Sequence, residues 1–141
     1  MFKRCLPILT VFALALCAVA HAGRLPAANV TLGDEVFLHS AWHDLHGRCV
    51  GVITNQTGVT SSLINIVDAI KANPRICIKA IYSPEHGLRG DRPAGSYVSS
   101  YTDVRTGLPV YSLYGKQKHP SAAMLAGVDV LLFDIQDVGA R

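Results

Sequence analysis

Three polar clusters in the sequence carry side chains that can do chemistry, and each directly follows an apolar run. They are Asn55-Gln56-Thr57, Glu85-His86-Gly87 and Gln136-Asp137. Their amides can hold polar groups of a ligand, and their carboxyl and imidazole groups can transfer protons. If the apolar runs are parallel strands, the clusters share the sheet edge at which ligands bind in open α/β sheets. The sequence therefore predicts one composite polar site.

Among these residues the carboxylates are the strongest candidates for catalysis. Glu85 follows Pro84 at the end of an apolar run, where partial desolvation suits a carboxyl group to general acid/base work. Asp137 follows the last apolar run and is expected to face the same cleft, whereas Asp134 lies inside the end of that run and is less favoured. Two carboxylates around a cleft suit glycoside hydrolysis. Ordinary hydrogen bonding at the start of two loops is the alternative.

Other chemistries lack their motifs. The N-Q-T-G turn at residues 55–58 does not have the G-x-G-x-x-G spacing of dinucleotide sites, and the sequence contains neither a P-loop lysine nor a G-x-S-x-G elbow. His39, His43 and His46 lack the acidic partner of the H-E-x-x-H pattern. A solvated helix face is therefore favoured over a metal site, and no metal or cofactor is predicted.

Four short apolar runs predict the strands that position these clusters. They span Cys49–Thr54 and residues 76–82, 109–114 and 128–135. Continuous apolar runs of this length are typical of parallel strands that are covered on both faces. The irregular stretch at residues 87–108 is long for a loop in a folded domain, which indicates a functional loop.

Three helices are predicted around the strands. They span residues 33–45, 63–73 and 121–126. Asp34 is the expected N-cap of the first helix and Gly47 its stop. The second has one apolar stripe at i, i+3, i+4 and i+7, a cap among residues 60–62 and Pro74 after its end. Alternation of strands and helices predicts an α/β fold with a Rossmann-like parallel sheet flanked by helices.

The composition of the whole chain excludes a disordered or collagen-like protein, since its 141 residues are 50% hydrophobic and 16% charged.

The first segment of the chain has the pattern of an export signal. Residues 1–22 combine Lys3 and Arg4, an apolar stretch too short to span a bilayer, and small residues before the expected cleavage point. We expect a cleaved signal peptide, export to the periplasm or the exterior, and no membrane anchor. An uncleaved anchor or a lipoprotein through Cys17 is the alternative.

Cleavage changes the charge and the cysteine count. Without Lys3 and Arg4 the formal net charge falls from +3 to about +1, so no basic face remains for nucleic acid. Cys49 and Cys77 remain, and in an oxidising compartment they can pair. Two buried thiols that act as small hydrophobic side chains are the favoured interpretation.

Four stretches of the sequence together resemble a known family. They are VITNQTGV from residue 52, SPEHGLRG from residue 83, TGLPVYSLYG from residue 106 and FDIQDVGAR from residue 133. In this order they are similar to the signatures of the exo-β-N-acetylmuramidase family of peptidoglycan hydrolases. The resemblance implies removal of N-acetylmuramic acid from the non-reducing ends of peptidoglycan fragments. It also implies a Rossmann-like domain followed by a smaller α/β domain, with the active site between them.

The resemblance also implies roles for single residues. Glu85 is the implied catalytic residue, peptidoglycan-derived sugars are the implied partners, and no cofactor is implied. Five motif positions are expected to bind the substrate: Asn55, Gln56, His86, Arg89 and Asp137. Arg89 or Arg92 is expected to pair with the lactyl carboxylate of muramic acid.

These inferences divide the chain into three parts. Residues 1–22 are the expected signal peptide, residues 23–47 a lead-in segment with the first helix, and residues 48–141 the N-terminal portion of a Rossmann-like catalytic domain, incomplete at the C-terminus. Members of the family are longer, so we expect the chain to be an N-terminal fragment of an exported muramidase of cell-wall turnover and to be inactive alone. A non-catalytic exported cell-wall-sugar-binding α/β module is the alternative.

Overall fold

The computed structural model describes residues 30–136, and the elements named below belong to the unit that begins at Thr31. They are helix α1 (Gly33–His39), a 3₁₀ helix (Ala41–Leu45), strand β1 (Cys49–Thr54), helix α2 (Ile66–Lys71) and strands β2 (Cys77–Ser83), β3 (Tyr101–Thr102), β4 (Pro109–Ser112) and β5 (Val130–Asp134). The predicted signal peptide and Asp137 lie outside the described residues. Within residues 30–136, no helix is long and apolar enough to cross a membrane.

The five strands form one sheet in the order β3-β4-β2-β1-β5. Strands β5, β1, β2 and β4 run parallel to one another, whereas the two-residue β3 pairs antiparallel with β4. The predicted α/β class with a parallel sheet is therefore confirmed. The strand predictions match β1 fully and the ends of β2, β4 and β5 within two residues. Strand β3 lies in the stretch predicted as loop.

Strand β1 is an interior strand between β2 and β5, which explains its uninterrupted apolar sequence. Val50, Val52 and Thr54 are fully buried on one face. On the other face Gly51 makes room for the ring of Tyr82, because a Cβ atom at Gly51 would lie 2.6 Å from that ring. Such two-sided burial is typical of a parallel strand.

Helix α2 packs against the sheet. Its Ile66, Val67 and Ile70 are buried in one cluster with residues of β1 and β2. Partly buried side chains of α1 and the 3₁₀ helix pack against the same cluster: Phe37, Leu38 and Trp42. This core holds β1 and β2, from whose carboxyl ends the polar clusters extend.

The first predicted helix is present but divided. Helix α1 and the 3₁₀ helix are separate because Ser40 between them leaves helical geometry. Asp34 is not the N-cap, since the helix already begins at Gly33 and the Asp34 carboxylate accepts the N–H of Glu35 (2.8 Å). The predicted stop at Gly47 is confirmed by its left-handed backbone (φ 78°).

The second predicted helix begins three residues later than expected. Its N-cap is Asn65, whose side-chain oxygen accepts the N–H of Val67 (3.0 Å). The predicted cap among residues 60–62 is wrong, because a backbone hydrogen bond closes a turn there (2.8 Å) and leaves Leu63 80% exposed with a positive φ. The third predicted helix, at residues 121–126, is also wrong, since these residues form turns.

Cys49 and Cys77 form a disulfide between β1 and β2. The two residues are opposite each other in the parallel register, with their Cα atoms 4.5 Å apart, which is a separation that a disulfide can bridge. The favoured expectation of two free buried thiols is therefore wrong. Pairing depends on the register of two strands, which the spacing of cysteines along the sequence does not reveal.

Candidate active site

The carboxyl ends of β5, β1 and β2 are neighbours in the sheet and place the predicted polar clusters at one edge. The cluster after β1 contacts the chain after β5, because the hydroxyl of Thr57 accepts the N–H of Gln136 (3.0 Å). It also contacts the turn after β2, since the side chain of Gln56 packs so closely on Gly90 that a Cβ atom there would lie 2.8 Å from Gln56 Cγ. The structure thus joins these segments as predicted, and Asp137 lies outside the described residues.

Asn55 shapes the turn after β1. Its Oδ1 accepts both the backbone N–H (2.9 Å) and the hydroxyl (2.7 Å) of Thr57. Such a turn closed by an asparagine side chain is a common local structure. The oxygen of Asn55 therefore has a structural use, while the neighbouring Gln56 is exposed.

Glu85 lies in the turn after β2 and is held by two other segments of the chain. Its Oε1 accepts the N–H of Gly95 (2.8 Å). The side chain of Tyr114 is hydrogen-bonded to the same carboxylate, and this bond is the main reason why the pKa of Tyr114 is raised. The carboxylate is thereby fixed between the loop that follows its own turn and the segment that follows β4.

The turn that carries Glu85 has an unusual backbone. His86 and Gly87 both have positive φ angles, 71° and 75°, and such a conformation is uncommon for a residue with a side chain. The ring nitrogen Nδ1 of His86 lies 3.0 Å from the backbone oxygen of Arg92. This contact ties the turn to the next loop, in which the Arg92 side chain is 50% exposed.

A cavity of about 570 Å³ adjoins the segments that hold Glu85, although Glu85 itself is not among its lining residues. It is lined by Gly95, Tyr97, Leu113, Tyr114, Gly115 and Lys118, and therefore by both residues that hold the Glu85 carboxylate. Tyr97 is 74% exposed. Tyrosine rings provide flat apolar surfaces with a polar edge, and the volume is in the usual range for small-molecule sites. The arrangement suits a polar ring such as a sugar, next to a carboxyl group that can transfer a proton.

Arg89, four residues after Glu85, lies in an ion-pair network. Its guanidinium is 2.8 Å from carboxylate oxygens of both Asp68 and Asp103. The hydrogen bond from Arg89 is the main reason why the pKa of Asp103 falls to about 2, and the two aspartates raise the pKa of Arg89. A substrate contact of Arg89 would have to compete with both carboxylates.

Asp134 lines a different cavity. This cavity has a volume of about 350 Å³, and its walls include Asp34 as well as apolar residues of α1, α2 and β5. One carboxylate oxygen of each aspartate is buried without a hydrogen-bond partner among the described residues. Burial, with a smaller contribution from the charge of Asp34, raises the pKa of Asp134. Asp134 is thus separate from the cavity beside Glu85.

The three histidines of the first helical region are exposed as predicted, although they do not share the face of one helix. They are His39, His43 and His46. His43 stacks on Trp42, with the ring centroids 3.8 Å apart. In the part of the chain that the structure describes, no three His, Cys, Asp or Glu side chains are grouped so that they could hold a metal ion.

A family model for the N-terminal part of the exo-β-N-acetylmuramidase NamZ matches residues 50–141. The chain belongs to this family. The match begins in β1 and contains all four motif stretches, so the resemblance of the sequence to the exo-β-N-acetylmuramidases is confirmed.

One relative and two solved structures are similar to about four fifths of this chain. The peptidoglycan β-N-acetylmuramidase NamZ of Bacillus subtilis is 51% identical over 113 residues, which are 80% of this chain and 27% of that protein. Crystal structures of two DUF1343 family proteins from Bacteroides fragilis match with TM-scores of 0.68 and 0.60 and identities of 46% and 32%. Each match covers 79% of this chain and 27% of the other. The chain therefore spans about a quarter of the length of these relatives.

Within this NamZ-family region, the sequence did not reveal the residues that surround Glu85. Tyr114 lies in the TGLPVYSLYG stretch, and Gly95 and Tyr97 lie in the long loop that was expected to be functional. The sequence therefore marked these segments but did not indicate that their residues contact Glu85 or line a cavity. The partners of Arg89 had no such signal. Asp68 and Asp103 are 21 and 14 residues away in the sequence and meet Arg89 only in the fold.

Proposed function

We propose that this region contributes the acid/base residue Glu85 to an exported exo-β-N-acetylmuramidase of cell-wall turnover. The reaction is the removal of N-acetylmuramic acid from the non-reducing ends of peptidoglycan fragments. The observation that carries the proposal is Glu85 itself, held by Gly95 and Tyr114 beside a cavity of sugar size. The activity that names the Bacillus subtilis relative supports the substrate class.

Glu85 suits the proton transfers of glycoside hydrolysis. As an acid, a carboxyl group protonates the glycosidic oxygen while the bond to the leaving group breaks, and as a base it accepts a proton from the attacking water. Its contacts with Gly95 and Tyr114 fix its direction, which proton transfer over hydrogen-bond distance requires. The second group is either a carboxylate, for which Asp137 is the sequence candidate, or the 2-acetamido group of the sugar.

Arg92 is the proposed partner of the lactyl carboxylate, the group that distinguishes muramic acid from N-acetylglucosamine. Its side chain is half exposed, and its contact with Asp91 is 3.7 Å long. Arg89, by contrast, is already bonded to two aspartates at 2.8 Å. Arg92 can therefore form a charge-assisted pair with the substrate without breaking a short ion pair. Further contacts with the sugar are proposed for Asn55, Gln56 and His86.

Export is part of the proposal, and two features support it. Residues 1–22 have the pattern of a signal peptide. Cys49 and Cys77 form a disulfide, and disulfides form and persist in oxidising compartments such as the periplasm and the cell exterior.

A chimera tests the catalytic proposal. In this NamZ chimera, the region of the present chain replaces the corresponding region of the Bacillus subtilis relative, to which it is 51% identical. We expect release of a chromophore from a muramic acid glycoside, and a loss of about 100-fold or more in kcat in Glu85→Gln, because general acid/base catalysis contributes about 10²–10⁴-fold. The exposed Asp44→Asn is the matched control. Unchanged turnover in Glu85→Gln would remove Glu85 from its proposed role.

Experiments on the 141-residue chain alone test the alternative function, a non-catalytic module that binds cell-wall sugars. We propose that the chain alone has little or no turnover, since its residues correspond to 27% of the Bacillus subtilis relative. Binding of N-acetylmuramic acid by the chain, together with an inactive chimera, would favour a non-catalytic module that binds cell-wall sugars. Turnover by the chain alone would contradict the proposed inactivity.

A further inference from the structure

Arg89 uses four hydrogen bonds to hold two carboxylates. Nε donates to Asp103 (3.1 Å), Nη1 to Asp68 (2.8 Å), and Nη2 to both aspartates (2.8 Å each). A guanidinium has five N–H groups in a rigid fork, so nearly all of its donor capacity is used here. Two-pronged pairing of this kind combines strength with a fixed geometry.

The two carboxylates belong to parts of the fold that are themselves well fixed. Asp68 is in α2, whose Ile66, Val67 and Ile70 belong to the hydrophobic core. Asp103 is only 3% exposed, and its carboxylate also accepts the N–H (3.0 Å) and the hydroxyl (2.7 Å) of Thr106. It thereby closes the turn between β3 and β4. Arg89 thus connects the turn after β2 to a helix and to a hairpin.

The turn that Arg89 connects is the one that presents Glu85 and His86. Its backbone has positive φ angles at His86, Gly87 and Gly90, and such an angle at His86, which has a side chain, needs support from its surroundings. Leu88, which is completely buried, anchors the turn in the core. Arg89 is the next residue and adds a polar anchor whose direction is fixed by two carboxylates.

We propose that Arg89, Asp68 and Asp103 form a positioning network that holds the Glu85 turn, and that Arg89 does not bind the substrate. This inference rests on the proposed role of Glu85. A substrate carboxylate could recruit Arg89 only by displacing Asp68 or Asp103, whose side chains are 15% and 3% exposed, and either displacement would remove this cation from a largely buried carboxylate, which is costly. The network sets the position of Glu85 relative to the two residues that hold its carboxylate.

Two local signals report the position of Glu85 without any activity. The Gly95 amide donates to Glu85 Oε1, so its ¹H–¹⁵N resonance responds when the carboxylate moves. The pKa of Tyr114 is raised by its hydrogen bond to Glu85, so it falls toward the ordinary value when that bond is lost. In Arg89→Lys, which keeps the charge but not the fork, we expect the Gly95 resonance to shift and the Tyr114 pKa to fall in the 141-residue chain.

Arg105→Lys is the matched control. Arg105 also pairs with Asp68 (3.2 Å), but its side chain is 67% exposed and lies outside the Glu85 turn, so we expect both signals to stay unchanged. If Arg89→Lys does not fold, Asp68→Asn is used for the same measurements, because it leaves the pair of Arg89 with the buried Asp103 in place. Unchanged Gly95 and Tyr114 signals in the folded variant would overturn the positioning network.

Kinetics of the NamZ chimera separate this inference from the proposed function. A positioning role predicts a fall in kcat of about tenfold or more in Arg89→Lys, with KM for the muramic acid glycoside nearly unchanged. A rise in KM for that glycoside alone, with no change for the N-acetylglucosamine analogue, would instead make Arg89 a substrate ligand. If Glu85→Gln leaves turnover unchanged while Arg89→Lys shifts the Gly95 signal, the proposed function fails and the network stands.

Discussion

Two arginines three residues apart have different surroundings, and on this ground we propose different roles for them. Arg89 is 19% exposed and bonded to two aspartates at 2.8 Å, whereas Arg92 is 50% exposed and has one contact of 3.7 Å with Asp91. A guanidinium held by two carboxylates is already neutralised, so it contributes little attraction for a further anion. The sequence alone left both arginines open as partners of the lactyl carboxylate, because the distinction depends on Asp68 and Asp103.

Replacement of Arg92 tests this assignment at the residue scale. In the NamZ chimera we expect Arg92→Gln to raise KM for a muramic acid glycoside about tenfold, because a charge-assisted pair contributes about 1.5–3 kcal/mol. KM for the N-acetylglucosamine analogue should not change. Arg75→Gln, an exposed arginine in the segment before β2, is the matched control. Equal changes for both glycosides in Arg92→Gln would contradict recognition of the lactyl group.

Asp103 should make the stability depend on pH in the acid range. Its pKa is about 2 in the folded protein, against 3.8 for the ordinary group. The stabilisation is therefore fully present above about pH 4 and is lost as the pH falls toward 2, and it amounts to about 2 kcal/mol. In urea denaturation, we expect Asp103→Asn to lower the free energy of unfolding by at least this amount at pH 7 and by less at pH 2.5. An equal loss at both pH values would contradict the link between the Asp103 pKa and stability.

At the scale of elements, the sequence predicted the strands better than the helices. Strand β1 is buried on both faces, so its composition alone identifies it. Helix α2 has six residues, and the apolar stripe used to predict it included Leu63, which belongs to the preceding turn. The antiparallel β3 has two residues and therefore no periodicity to read. The parallel strands bring the Asn55 and Glu85 clusters to one edge of the sheet as predicted, whereas the side chains that hold Glu85 come from irregular segments that periodicity does not describe.

The beginning of α2 provides a test at this scale. Asn65 caps the helix through Val67, and loss of such a cap costs about 1 kcal/mol. We therefore expect Asn65→Ala to lower the free energy of unfolding by about this amount in urea denaturation. Ser62, one of the caps that the sequence suggested, is exposed and lies in the turn before the helix, so Ser62→Ala should have little effect. A larger loss in Ser62→Ala than in Asn65→Ala would contradict the assignment of the cap.

Across the sheet, the disulfide and the candidate site lie at opposite ends of the same two strands. The disulfide joins the first residues of β1 and β2, Cys49 and Cys77, while the Asn55 and Glu85 clusters follow their last residues. The outer strand β5 is less protected, since Leu131 and Phe133 are 44% and 71% exposed. The central pair of strands is therefore the part of the sheet on which both the core and the candidate site depend.

Reduction of the disulfide should weaken the fold without moving the site. The bridge closes a loop with a sequence separation of 28 residues, and a loop of this length corresponds to about 3.5 kcal/mol of stabilisation. We expect dithiothreitol to lower the urea midpoint of the chain, while the Gly95 resonance that reports on Glu85 stays in place below the transition. The double variant Cys49→Ser, Cys77→Ser should have the lower midpoint with or without the reductant, which makes it the control. A Gly95 resonance that shifts on reduction while the chain is still folded would show that the two ends of the strands are coupled, contrary to this separation of stability from chemistry.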